Sequence, residues 1–119
     1  MTRSKSLGNS GEKAAEEYLK KNNYQIIAHN YKSGYQEIDL IAHKNKQLIF
    51  IEVKTRIKTK ESVLENPISK RQLSNIKKAI IAYCLKTRIN LESIRLDLIL
   101  ILVNKNKNSA ELKHYRDIL

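Results

Sequence analysis

Two apolar stretches in the first half of the chain read as neighbouring β-strands, yet each carries charge at its centre. They are Glu37-Ile38-Asp39-Leu40-Ile41-Ala42 and Phe50-Ile51-Glu52-Val53-Lys54-Thr55. A charge inside a strand core is costly unless something binds it, so only a fold that supplies a partner tolerates this pattern. The polar break at residues 44–47 predicts the tip of an antiparallel hairpin. That register sets Asp39 directly opposite Glu52 and Glu37 directly opposite Lys54, with all four side chains on one face. Facing carboxylates repel unless a proton or a cation intervenes, and a hard divalent ion would relieve them.

The rest of the chain supplies elements to support this hairpin. Residues 8–21 predict a helix with Ala14, Ala15, Tyr18 and Leu19 on its apolar face. Asn9 and Glu12 resemble a capping box at its start, which is the structural alternative to a functional Glu12. A first strand follows at residues 24–31, with Ser33-Gly34 as its turn. The hairpin strands are expected at residues 36–43 and 47–55, the second of them central because it is apolar on both faces. Residues 56–60 form a basic segment, and the loop from 58 to 66 shows no periodicity and is expected to be mobile without substrate.

Beyond Pro67, Ser69 and Gln72 mark a capped helix start, with Leu73, Ile76, Ile80 and Tyr83 as its buried stripe. Residues 94–103 predict an interior strand, and the intervening helix implies a parallel crossover to it. Residues 111–116 are a candidate edge strand.

Charge then narrows the partners. The 119 residues carry 23 Lys and Arg against 12 Asp and Glu, a formal net charge of +11. Such a chain attracts polyanions, nucleic acid first, with strongly salt-dependent binding. The candidate contacts are Arg56 and Lys58 beyond the hairpin, and Lys70, Arg71, Lys77 and Lys78 at seven-residue spacing along the capped helix. Solvated surface charge is the bland reading of the same residues. No apolar run approaches the roughly 20 residues of a membrane helix, and no secretion signal is evident. One cysteine, Cys84, forms no internal disulfide, so a soluble, cytoplasmic protein is expected. His29, His43 and His114 have no ligand spacing.

The order helix, three strands, helix, strand, with Asp39 and Glu52-Val53-Lys54 on the second and third strands, resembles the PD-(D/E)XK nuclease superfamily, the restriction-endonuclease-like and Holliday-junction-resolvase-like fold. More narrowly, residues 8–19, the two charged stretches, Lys70 and Arg95-Leu96-Asp97 resemble the YraN-like family of small bacterial proteins. This implies an α/β fold with a three-layer core, in which helices flank a mixed central β-sheet in the order αβββαβ, with residues 1–119 as a single domain. It also implies a metal-dependent endonuclease acting on DNA. Asp39 and Glu52 would bind Mg²⁺ or Mn²⁺, and Lys54 would position the attacking water. Glu12 would complete the site, the Val53 carbonyl would add a ligand, and Glu37 would support it.

Ile38 stands where the superfamily name has Pro, and Gln36 replaces the Gly expected before Glu37, which changes a turn but removes no ligand. A cutter of branched DNA would act as a homodimer. The alternative is a basic nucleic-acid-binding protein that keeps the fold without the chemistry. In a purely structural network, Glu37 would pair with Lys54 and Arg95 with Asp97.

Overall fold

The structure is a computed structural model that describes residues 3–64 and 66–119, with side chains for residues 9–63 and 66–119. Helix α1 (Arg3–Lys21) leads into strands β1 (Gln25–Ser33), β2 (Gln36–Lys44) and β3 (Gln47–Ile57). A short helix α2 (Lys60–Leu64) and helix α3 (Lys70–Thr87) follow, then β4 (Ile94–Asn104) and β5 (Ser109–Tyr115). The strands form one sheet in the order β1-β2-β3-β4-β5. All neighbours are antiparallel except β3 and β4, which are parallel, as the α3 crossover requires.

Helices cover both faces of this mixed sheet. Ala15 and Leu19 of α1 pack with Leu40, Ala42, Ile49, Ile51, Val53, Ile99 and Ile101. On the other face, Ile76, Ala79, Ile80 and Cys84 of α3 pack with Ile41, Leu48, Phe50 and Leu96. Two-sided cover explains why β3 and β4 read as continuous aliphatic runs instead of alternating ones. The β2–β3 hairpin closes at Lys44 and Gln47, and its two-residue loop, Asn45 and Lys46, has φ of 51° and 65°. Positive φ at both loop residues is the hairpin geometry that matches strand twist. Ser69 caps α3 by accepting from the Gln72 N–H at 3.1 Å, and the Gln72 side chain accepts from the Ser69 N–H at 3.0 Å.

Four local expectations change. Helix α1 begins at Arg3, so Asn9 lies inside it and is not its N-cap. No proline interrupts residues 3–8, and extending a formed helix costs far less than starting one. Ala14 is exposed, and among the described side-chain positions of α1 Gly11, Ala15 and Leu19 are buried, with Tyr18 partly buried beside them. Arg56 and Ile57 continue β3, because their parallel partners Leu102 and Val103 extend the ladder. Much of the 58–66 loop is the helix α2, while Glu65 lies outside the described residues. Among the described residues, no helix is long and apolar enough to cross a membrane.

Candidate functional site

The sheet forks where its charges begin. The β2–β3 ladder runs from Lys44 opposite Gln47 to Leu40 opposite Ile51, and stops one pair short of Asp39 and Glu52. Below that point β2 continues on β1, with Ile38 opposite Tyr31, while β3 continues on β4, with Glu52 opposite Leu98. By continuation of the hairpin, Val53 would exchange backbone hydrogen bonds with Ile38. Its N–H instead donates to Asp39 Oδ2 at 2.8 Å. The Asp39 carboxylate thus substitutes for a strand partner and holds the mouth of the fork open. Strand β2 also leaves strict alternation here, since Ile38 and Ile41 pack in the same cluster under α3. The predicted register is correct up to the charged pair.

Asp39 and Glu52 sit together at the apex of the fork. Glu52 is 8% exposed. Burial first, and then the charge of Asp39, push its carboxyl up to about 8 against the pull of Lys54. Burial also raises Asp39, opposed by the Val53 N–H, by a hydrogen bond with Glu52 and by Lys54. At neutral pH, therefore, Glu52 favours holding a proton, which its side-chain hydrogen bond shares with Asp39. Lys54 Nζ lies 3.2 Å from Glu52 Oε1, so it answers Glu52 and not Glu37, which is exposed. The structural alternative for Lys54 fails on this point, whereas the expected Arg95–Asp97 pair is present.

Glu12 approaches from α1. Its carboxyl is raised by burial, then by the charges of Asp39 and Glu37, with His29 opposing. The helix comes this near because Gly11 has no side chain: an added Cβ would lie 1.9 Å from Thr55 Oγ1 on β3. Among the described residues, no three His, Cys, Asp or Glu side chains converge closely enough to hold an ion by themselves. Glu12 therefore stands near the pair without joining it in a three-ligand cluster. The Val53 carbonyl remains suitably placed, because the N–H and C=O of one strand residue point the same way and its N–H reaches into the fork.

The basic residues divide into two groups. Arg56 continues β3 past Lys54 and donates to the Thr55 carbonyl at 3.0 Å. Lys58 is bound to Glu111, which lowers the Glu111 carboxyl and removes Lys58 as an unpaired charge. Lys70 and Arg71 are exposed at the start of α3, between Ile68 and Leu73, which line a cavity together with Leu98, the neighbour of Glu52. Lys78 is exposed on the same helix. Lys77 instead faces Ile94 and Leu119 at the other end of β4.

The expected Arg95–Asp97 pair belongs to a larger buried polar network at the opposite face of β4, whose other members escaped sequence reasoning. Asp97, fully buried, accepts from Arg95 Nε at 2.8 Å and Nη2 at 2.9 Å, and from the Asp117 N–H at 3.0 Å. His114 Nε2 lies 2.7 Å from Asp97 Oδ2, and its Nδ1 lies 2.9 Å from the Tyr18 hydroxyl. Arg95 also donates to the Tyr24 hydroxyl at 2.9 Å. Burial alone would raise Asp97, but His114, Arg95 and the Asp117 N–H outweigh it and hold the carboxyl below its usual value. The sequence signal was an aspartate within an aliphatic strand, two residues from Arg95, and nothing marked His114, Tyr18 or Tyr24 as further partners. Among the described residues, no buried side-chain nitrogen or oxygen lacks a hydrogen bond.

Residues 11–101 match the sequence profile of a family described as Uncharacterised protein family UPF0102. That span holds Gly11, Glu12, Asp39, Glu52, Lys54, Arg95 and Asp97. A UPF0102 protein of Syntrophomonas wolfei is 37% identical over 102 residues, covering 86% of this chain and 89% of its own. UPF0102 proteins of Christiangramia forsetii and Clostridium botulinum are 33% and 34% identical, each covering more than nine-tenths of both chains.

Proposed function

The chain belongs to the UPF0102 family, the YraN family, within the restriction-endonuclease-like superfamily, and we propose that it is a metal-dependent endonuclease that hydrolyses DNA phosphodiesters. The observation that carries this reading is the pairing of half-buried Asp39 with buried Glu52 at the fork, with the Glu52 carboxyl raised to about 8 and Lys54 beside it. Two carboxyls brought together in a sheet repel unless a proton or a cation intervenes, and such a pair with a lysine beside it marks a candidate site.

The donor set fits Mg²⁺ or Mn²⁺. Asp39, Glu52 and the Val53 carbonyl are all oxygen donors, and Mg²⁺ takes one or two carboxylates together with water and substrate phosphate. When bound, such an ion lowers the pKa of its water and offsets charge on the phosphate. The chain's own residues do the remaining work. Glu52 gives its proton to solvent before it can act as a donor. Asp39 is held in place by the Val53 N–H at 2.8 Å. Lys54 brings a positive charge to the carboxylates, where it attracts a phosphate oxygen and orients a water by hydrogen bonding. Glu12 adds negative charge at the rim and favours a second cation or a hydrated one. Arg56, Lys70 and Arg71 provide cationic contacts for the strand backbone.

A second reading has its own support. Lys54 is engaged by Glu52, and Glu12 does not complete a three-ligand cluster. A basic binding module with net charge +11 would need no more than that.

Incubation with branched, single-stranded and duplex DNA in Mg²⁺ or Mn²⁺ separates the two. The nuclease reading expects cutting that depends on the ion and disappears in Asp39→Asn and in Lys54→Ala. Tight, salt-sensitive binding with no cleavage of any substrate leaves the binding module.

A further inference from the structure

Across the sheet, Glu52 on β3 has Leu98 on β4 as its register partner, and Leu98 in turn has Tyr115 on β5. Register partners project on the same face, so the three side chains form a row that starts at the carboxylates and crosses the sheet in steps of about 4.8 Å. Leu98 and Tyr115 are also two walls of a cavity of about 320 Å³, closed by Pro67, Ile68, Leu73 and Ile118. The cavity therefore begins one strand away from Glu52.

Its chemistry is specific. Five aliphatic or proline walls surround one aromatic ring, that of Tyr115, which is 43% exposed. Asn66 lines the same cavity with its side-chain oxygen held by the Ile68 N–H at 3.1 Å, so its amide N–H groups supply the donor there. Lys70 and Arg71, exposed between Ile68 and Leu73, give the rim positive charge. An apolar slot with one aromatic face, one amide donor and a cationic rim suits a flat heterocycle carried on a phosphate chain.

We propose that this cavity receives an unstacked nucleobase of the strand whose phosphate lies at Asp39, Glu52 and Lys54. The proposal rests on the nucleic-acid reading above and adds to it a specific preference for single-stranded, flipped or branch-point nucleotides. One nucleotide spans the distance: with its phosphate beside Glu52, its base lies over Leu98 and against Tyr115. A base locked in a continuous duplex stack cannot enter without first leaving the stack. The aliphatic walls carry no donor–acceptor pattern, so base identity matters little, and base presence matters much.

The test compares a short oligothymidylate with an abasic tetrahydrofuran strand carrying the same number of phosphates, in EDTA to prevent cleavage. For the wild type, losing the bases weakens binding about tenfold. Tyr115→Ala binds both strands equally and as weakly as the wild type binds the abasic one, while Tyr115→Phe keeps the preference. Thermal melts of both variants confirm that they are folded, and 2-aminopurine in the strand reports quenching by the wild type and by Tyr115→Phe only. Equal, salt-sensitive binding of both strands by the wild type overturns the base pocket and leaves the nucleic-acid reading standing. A base preference that persists unchanged in Tyr115→Ala also overturns it. Failure of the wild type to bind either strand, both in EDTA and with Ca²⁺ in place of Mg²⁺, overturns both.

Discussion

Replacing Gly11 by alanine sets helix propensity against packing, and the two predict opposite signs. Gly11 lies in the interior of α1, where alanine is favoured over glycine by about 1 kcal/mol. The new Cβ, however, would stand 1.9 Å from Thr55 Oγ1 and 3.2 Å from Thr55 Cβ. Threonine is stiff at χ1, so the hydroxyl does not swing away freely, and even if it did the Cβ contact would remain tight. Helix α1 must then retreat from β3, and overpacking of this kind costs about 1–3 kcal/mol. The expected net effect is a loss of about 1–2 kcal/mol.

Removing Thr55 Oγ1 should restore most of the loss. In urea unfolding, Gly11→Ala lowers the midpoint without changing the slope, and Gly11→Ala in a Thr55→Ala background loses at least about 1 kcal/mol less. The retreat also carries Glu12 away from Asp39, so ion binding weakens with stability in the single variant and recovers in the double. A Gly11→Ala protein more stable than wild type, or a penalty unchanged by Thr55→Ala, would show that the close approach of α1 to the fork is not what that glycine serves.

Further predictions concern the charges. Glu52 binds its proton more tightly folded than unfolded, so its contribution is fully present below about pH 4.5 and is lost as pH rises toward about 8, by up to about 1.4 kcal/mol for each pH unit crossed. Glu52→Gln should remove this slope and melt above wild type at pH 9, with the gap closing toward pH 5; an unchanged slope in the variant would refute the assignment. Mn²⁺ should raise the melting temperature of the wild type more than that of Asp39→Asn, and more at pH 8 than at pH 6, because loading displaces the Glu52 proton. Asp97→Asn leaves the partly buried Arg95 opposite a neutral group, and should cost about 3 kcal/mol by urea unfolding. Ser69→Ala removes one bond of the α3 capping box and should cost about 1 kcal/mol, measurable in the same assay.

How much of this was legible beforehand follows from the range of the forces involved. Strand and helix periodicity, the Ser69–Gln72 cap and the hairpin tip at residues 44–47 are local, and each could be read from a few residues. The start of α1 could not, because propagation from Arg3 overrides a capping signal at Asn9 that looks complete by itself. Tyr18, Tyr24, Arg95, Asp97 and His114 come from three elements and the turn before β1, and no spacing in the chain announces that they share one hydrogen-bonded network.

The site divides along the same line. Alternation and hairpin register alone put Asp39 opposite Glu52, since a two-residue loop leaves only one pairing of the flanking strands. Tertiary structure decided what that opposition becomes. The parallel ladder to β4 holds the C-terminal half of β3, β1 holds the N-terminal half of β2, and the two arms part at the charged pair. Into that gap the Val53 N–H turns toward Asp39, Lys54 turns to Glu52, and α1 brings Glu12 close through Gly11. Residue order prescribes which charges face each other, but burial and the parting of the strands set their protonation, because desolvation depends on everything packed around them.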